Sequence, residues 1–294
     1  MSGWDISDIP DQTGRRFIVT GANSGLGAAA ARALAGAGAE VILACRNLDK
    51  AAKVAAEIGE RAQVRKLDLA DLTSVREFAA SVDRVDVLMN NAGVMAIPAK
   101  RTADNFEMQF GTNHLGHFAL TGLLLDKISD RVVTVSSWAH RFGRINLDDP
   151  NWERRRYDRW LAYGQSKVAN LLFTAELQRR FAAAGSPRLA TAAHPGYAST
   201  ELGTHTESFF GSIVSLGDRL IAQSAEMGAL PQLFAAVAAD AEPGGYYGPE
   251  GIAGLRGYPV RCGSSSGARD ERMAGELWEL SEKLTGVTYK MPRS

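Results

Sequence analysis

The chain has little of what several large protein classes require. Its 294 residues hold two cysteines, Cys45 and Cys262, too few for a disulfide framework and not spaced as metal ligands. A reduced, cytoplasmic setting is the expected compartment. An excess of one charge is also missing, with Lys plus Arg and Asp plus Glu at 33 each. That balance gives no electrostatic footprint for nucleic acid or an anionic membrane. The longest apolar stretch, around 28–45, is interrupted by Arg32 and Glu40 and is too short and polar to span a bilayer. The first residues include Asp5 and no apolar h-region, so the sequence reads as soluble, without signal peptide or membrane anchor. Internal repeats and low-complexity linkers are absent too, which favours one domain over 1–294.

What is present is a rhythm. Apolar β-prone runs at 16–20, 40–44, 62–66, 85–89, 131–135 and 189–193 alternate with helical patterns at 25–37, 49–58, 74–81, 105–128 and 167–184. The apolar runs lack period-two alternation, as expected of strands buried on both faces. The pattern predicts an α/β fold, a Rossmann-type doubly wound parallel sheet of about seven strands with helices on both sides. Asp71 and Thr73 are both candidate N-caps for the third helix.

The first strand ends in Thr20-Gly21-Ala22-Asn23-Ser24-Gly25-Leu26-Gly27. Glycines there permit a tight turn and close backbone approach to a pyrophosphate, and the following helix directs free N–H groups at it. No Gly-Lys-Ser/Thr follows, which argues against an NTPase. At the end of the second strand, Leu43-Ala44-Cys45-Arg46-Asn47 offers no carboxylate to a ribose 2′-hydroxyl. Arg46 suits a 2′-phosphate, so NADP(H) is the expected cofactor; the alternative is a solvated loop arginine.

Tyr163 and Lys167 stand four apart, on one face of a helix. An ammonium beside a phenol favours the phenolate. At ~6 Å and an effective dielectric of ~20 the Coulomb energy is roughly 2.8 kcal/mol, about two pKa units. The pair is expected to bring the tyrosine toward proton transfer near neutral pH.

The ordered set Thr20–Gly27, Asp68-Leu69, Asn90-Asn91-Ala92-Gly93, Asn113, Ser136-Ser137, Tyr163-x-x-x-Lys167, Pro195-Gly196 and Thr200 closely resembles the short-chain dehydrogenase/reductase family. Asn113-His114-Leu115-Gly116-His117-Phe118, Val135-Ser136-Ser137-Trp138-Ala139-His140 and Ala44-Cys45-Arg46-Asn47 are similar to its retinol-dehydrogenase-like and WW-domain-oxidoreductase-like branch. The resemblance implies Asn113, Ser137, Tyr163 and Lys167 as the catalytic set. Tyr163 would be general acid/base and Ser137 would bond the substrate oxygen, with Ser136 as the second choice. Lys167 would lower the tyrosine pKa and bind the nicotinamide ribose. Asn113 would anchor a water in a proton relay. The implied cofactor contacts are Gly21, Asn23, Ser24, Gly25, Leu26 and Gly27, then Asp68 and Leu69 near the adenine. They continue with Asn91, Ala92 and Gly93, Tyr163 and Lys167, and Pro195, Gly196 and Thr200 beside the carboxamide. Family members often pair through two long helices, so monomer and homodimer both stand.

Ser137 and Tyr163 are 26 positions apart, with an aromatic and arginine-rich insert over 138–162. A second unusual segment, 197–228, carries Phe209, Phe210, Ile213, Val214 and Leu216 and reads as a substrate lid or extra core. His114 and His117 lack a third ligand at a usable spacing, so no metal is expected. Arg154-Arg155-Arg156 reads as a solvated face. His140 and His194 read as structural, and His205 falls in the lid. The expected activity is NADP(H)-dependent hydride transfer to or from a small lipophilic alcohol or carbonyl. The alternatives are a cofactor-binding regulator with weak catalysis and an NADPH-dependent double-bond reductase.

Overall fold

A computed structural model describes residues 3–196, 224–251 and 254–291. An eight-stranded sheet has the order β3-β2-β1-β4-β5-β6-β7-β8. Its strands are β1 (Arg16–Thr20), β2 (Glu40–Cys45), β3 (Ala62–Lys66), β4 (Val85–Asn90), β5 (Ile128–Val135), β6 (Leu189–Ala193), β7 (Tyr246–Pro249) and β8 (Pro259–Arg261). The pairings from β3 through β7 are parallel, and β8 closes the edge antiparallel to β7. The expected count of about seven becomes eight because three residues that begin at a proline carry no strand signal in sequence.

Both sheet faces are apolar, which is why the strands do not alternate in polarity. Phe17, Val19, Val41, Leu43, Val87 and Met89 point into one core, against α1 (Gly25–Gly36), α2 (Leu48–Ile58) and α7 (Ala225–Val237). Ile18, Ile42, Leu88 and Val132 point into the other, against α3 (Leu72–Ser81), α5 (Gly116–Leu124) and α6 (Arg159–Ala183). Behind that layer lies α8 (Glu271–Thr285), whose Trp278 stacks on Phe173 of α6 at 5.8 Å and meets Phe118 of α5 edge-on at 5.1 Å. The expected lid falls outside the described residues over 197–223; its last residues open α7, which packs on α1. Among the described residues, no helix is long and apolar enough to cross a membrane.

The long helix expected over 105–128 is broken into parts. Asn105 has φ +65°, and Glu107 caps a short turn, α4 (Met108–Phe110). A π turn over Gly111–Leu115 follows, and α5 begins at Gly116. A π turn inserts one residue into the helical register and is common at functional sites. Asp71, rather than Thr73, caps α3 by accepting the Thr73 and Ser74 N–H groups.

Four buried histidines make stability depend on pH, His140 among them, its pKa lowered by burial. Burial holds His114 down at about 3, and His117 and His194 at about 4. In the unfolded chain each titrates near 6.5. Between those values the unfolded state binds protons that the folded state refuses, so stability is full above about pH 6.5 and falls toward pH 4. The slope is at most about 1.4 kcal/mol per pH unit for each histidine. The urea midpoint is expected to drop between pH 7 and pH 5, and the gap to shrink in His114→Phe.

Candidate active site

The carboxyl ends of β1 through β4 converge at the point where the strand order reverses between β1 and β4, where open parallel sheets bind ligands. A cleft of about 240 Å³ lies there. Gly21, Asn23, Ser24, Gly25, Leu26 and Gly27 form one wall, Arg46, Asp68 and Leu69 another, and Asn91, Ala92 and Gly93 the third. Gly21 and Gly25 adopt φ of +68° and +51°, the left-handed region that favours glycine. A Cβ on Gly27 would stand 2.5 Å from the Gly21 carbonyl and 2.6 Å from Asn91 Nδ2, so the turn and the β4 end close on each other only around glycine.

The start of α1 differs from those of α2, α3, α6, α7 and α8. Asn47, Asp71, Asp158, Ser224 and Asp270 each fold a side chain back onto the helix they cap. Ser24 makes no such bond, and the first turn of α1 carries no acidic residue. The leading N–H groups therefore face the cleft without a partner from the cap, a helix end suited to a phosphate. These residues fit a dinucleotide. Asp68 holds its carboxylate beside the cleft by accepting the Ala70 N–H at 3.0 Å. Arg46 is exposed at the cleft's edge.

Tyr163 and Lys167 lie on α6, both buried, with Lys167 Nζ 5.6 Å from the phenol ring centroid. The lysine reaches the cleft: a Cβ on Gly93 would stand 3.5 Å from Nζ and 3.1 Å from Asn113 Oδ1. Their electrostatics differ from the expectation. Burial raises the Tyr163 phenol, and the Ser137 hydroxyl against it only partly opposes this. Burial also pulls Lys167 down to about 8, and its Nζ donates to the Val135 carbonyl at 3.1 Å. Desolvation disfavours the charged form of each, so the phenol is held protonated near neutral pH.

The adjacent serines divide as strand geometry requires. Ser136 donates to the Lys167 carbonyl at 2.8 Å and is buried. Ser137 lies against Tyr163, and its Oγ accepts the Ala139 N–H at 3.2 Å. Asn113, in the π turn, accepts the Val94 N–H at 2.8 Å and donates to Val94 O and Ser166 Oγ, each at 2.9 Å. Pro195 and Gly196 follow β6, with Gly196 at φ +67°, and Thr200 lies outside the described residues.

The insert packs on α4 and the first turns of α6. Arg155 lies over the buried Trp152 ring at 3.6 Å and donates to Gln165 Oε1 at 2.6 Å. Of the three arginines read as solvated, 154 and 156 are exposed and Arg155 is half-buried, because Trp152 and Gln165 supply a partner surface. Tyr157 accepts from Gln109 Nε2 at 2.9 Å and lies 3.1 Å from Glu107 Oε1. His140 gives the site support that sequence did not signal: its Nδ1 lies 2.7 Å from the Ser137 carbonyl. His117 is a second unsignalled member, 2.9 Å from the Thr20 hydroxyl and 3.0 Å from the Asn113 carbonyl.

A glycine turn at the switch point, joined to a buried tyrosine and lysine with a serine against the tyrosine, defines a nucleotide-binding oxidoreductase. The chain belongs to the short-chain dehydrogenase family: that family's model matches residues 15–209. It is 45% identical to human (Homo sapiens) retinol dehydrogenase 13 over 293 residues, covering 93% of this chain and 85% of that protein. It is 40% identical to mouse (Mus musculus) retinol dehydrogenase 12 over 295 residues, covering 94% and 88%. Among solved structures, an uncharacterized protein from Mycobacterium Paratuberculosis is 50% identical, with a TM-score of 0.86 over 98% of this chain and 100% of that one. A provisionally assigned NAD(P)-dependent gluconate 5-dehydrogenase from Beutenbergia cavernae, with NADP bound at low occupancy, is 27% identical, with a TM-score of 0.62 over 81% and 96%. The protein is therefore an oxidoreductase acting on CH–OH or C=O groups.

Proposed function

We propose that this chain, as one domain, uses NADP(H) to interconvert a small lipophilic alcohol and its carbonyl, with Tyr163 as general acid/base. The observation that carries the reading is the buried Tyr163 phenol with Ser137 against it and Lys167 beside the cleft. The bound cofactor would supply or accept the hydride. The α1 N-terminus would hold its pyrophosphate, Arg46 its 2′-phosphate and Asp68 its adenine. Pro195-Gly196 and Thr200 would border the carboxamide, and Asn113 would anchor a water in a proton relay, as the family resemblance implies.

In the reducing direction the substrate oxygen gains negative charge. A protonated Tyr163 can deliver a proton to it while the Ser137 hydroxyl donates a hydrogen bond. Burial keeps the phenol in that protonated form and excludes water from the transfer. In the oxidising direction the same oxygen of Tyr163 must take the proton, and the Lys167 ammonium beside it stabilises the phenolate.

Support for a lipophilic substrate comes from exposed apolar side chains of the insert. Trp138, Phe142, Trp160 and Leu161 are exposed apolar side chains within the insert that leads to Tyr163. A second cleft of about 500 Å³, lined by Trp138, His140, His194 and Val260, begins one residue beyond Ser137. The retinol dehydrogenases to which the chain is similar act, by name, on retinol, so all-trans-retinal is the first substrate to assay. The insert and α8 already cover α5 and α6, which favours a monomer over a homodimer.

Cofactor choice is tested at Arg46. Arg46→Ala is expected to raise the KM for NADPH about tenfold, the worth of a charge-assisted phosphate contact, and to leave that for NADH within twofold. Equal effects on both would refute the assignment.

A further inference from the structure

Thr20 closes β1 immediately before the phosphate turn, and His117 lies 97 positions away on α5. The Thr20 hydroxyl accepts the N–H groups of Asn91 and Ala92, each at 2.9 Å, so it already ties the turn to the end of β4. His117 adds a link that leads to the tyrosine. Its Nδ1 is 3.0 Å from the Asn113 carbonyl, which can only accept, so Nδ1 carries the ring proton. Nε2 is then an acceptor, and the Thr20 hydroxyl donates to it at 2.9 Å, a shorter contact than the 3.3 Å to the Met89 carbonyl, the other acceptor it reaches. Both ring nitrogens are used, in one neutral tautomer, inside a fully enclosed site.

The Asn113 side chain carries the contact on to α6. Asn113 Nδ2 donates to Ser166 Oγ at 2.9 Å, and Ser166 donates to the Tyr163 carbonyl at 2.8 Å. His117 thus holds the Asn113 backbone, and the Asn113 side chain in turn holds Ser166 on α6. The π turn makes it possible, because it sets both the amide and the carbonyl of Asn113 between β4 and α6.

We propose that His117 is a positioning residue that fixes the phosphate turn and the Tyr163/Lys167 face of α6 relative to each other, acting on one side through Thr20 and on the other through Asn113. This rests on the oxidoreductase reading above and adds to it. A histidine that merely fills space in the core would not need both nitrogens aimed at these two groups.

The two arms can be cut separately. Asparagine places an amide donor near Nδ1, and glutamine places an acceptor near Nε2. His117→Asn keeps the Asn113 contact and loses Thr20, so it should weaken NADPH binding about tenfold, read from cofactor fluorescence, more than it lowers kcat. His117→Gln keeps Thr20 and loses Asn113, so it should lower kcat for retinal reduction about tenfold, more than it weakens binding. Thr20→Val also removes the acceptor for the Asn91 and Ala92 N–H groups, so it should weaken NADPH binding more than His117→Asn, and the double variant should lose no more than Thr20→Val alone. Additive losses in the double variant would overturn the proposal, and where one His117 variant fails to fold, the constant-selective loss in the other decides. Equal losses in both constants, or losses that track the melting temperature alone, would overturn the proposal. Turnover that persists in Tyr163→Phe would instead overturn the underlying reading, and the binding arm at His117 is read without any turnover.

Discussion

Tyr163→Phe is expected to lower kcat for carbonyl reduction by at least about a hundredfold, the low end of what a positioned general acid contributes. Phenylalanine preserves the ring, which is 7% exposed and packed in α6, so neither the fold nor the melting temperature should change much. Only the hydroxyl is removed. Ser137 and Lys167 remain, and Lys167 Nζ keeps its bond to the Val135 carbonyl. NADPH should therefore bind within about twofold of the parent affinity while turnover disappears. The measurement is steady-state NADPH oxidation with all-trans-retinal and a panel of ketones, alongside cofactor titration. Undiminished turnover would remove Tyr163 from the mechanism. Cofactor binding without turnover in the parent protein, across the whole panel, would instead favour the regulator reading, and a saturated product would favour the double-bond reductase.

Trp278→Ala is expected to destabilise the protein by about 3–5 kcal/mol, the range for truncating a large buried aromatic. Its ring is 2% exposed, stacks on Phe173 at 5.8 Å, meets Tyr289 at 4.4 Å and lies beneath the Arg180 guanidinium at 4.4 Å. These three partners and Phe118 lose contact together, and the cavity opens against α6, the helix that bears Tyr163 and Lys167. Heat inactivation should accordingly follow the loss of stability. Trp278→Phe keeps the stacking and should lose markedly less. Urea unfolding of the two variants gives the comparison, and equal midpoints for Trp278→Ala and the parent would show that α8 braces nothing.

The sheet was legible because its strands announce themselves. β1 and β6 fall on the residues expected, since short apolar β-prone runs bounded by turn signals leave few alternatives. The glycine turn, Arg46, Asp68 and Asn91 line one cleft because their strands are neighbours in a parallel sheet. The break of 105–128 was not legible: nothing in Gly111–Leu115 distinguishes a π turn from an α-helix by hydrophobic period. Nor was the protonation of Tyr163. Sequence gives the spacing to Lys167 but not the burial of both, and burial decides the sign. The links made by His117 and His140 escaped for a related reason, because their partners lie in carbonyls and hydroxyls brought near only by the fold.

The missing cap at Ser24 has a further consequence. Leaving a helix end without its side-chain cap costs about 1 kcal/mol. A dinucleotide seated there restores those contacts and adds its own binding energy, about 2.7 kcal/mol at a hundredfold excess over Kd. Survival of the folded chain, against heat or a protease, then tracks the supply of cofactor in its surroundings. A fall in that supply would thin the enzyme's population as well as slow its reaction.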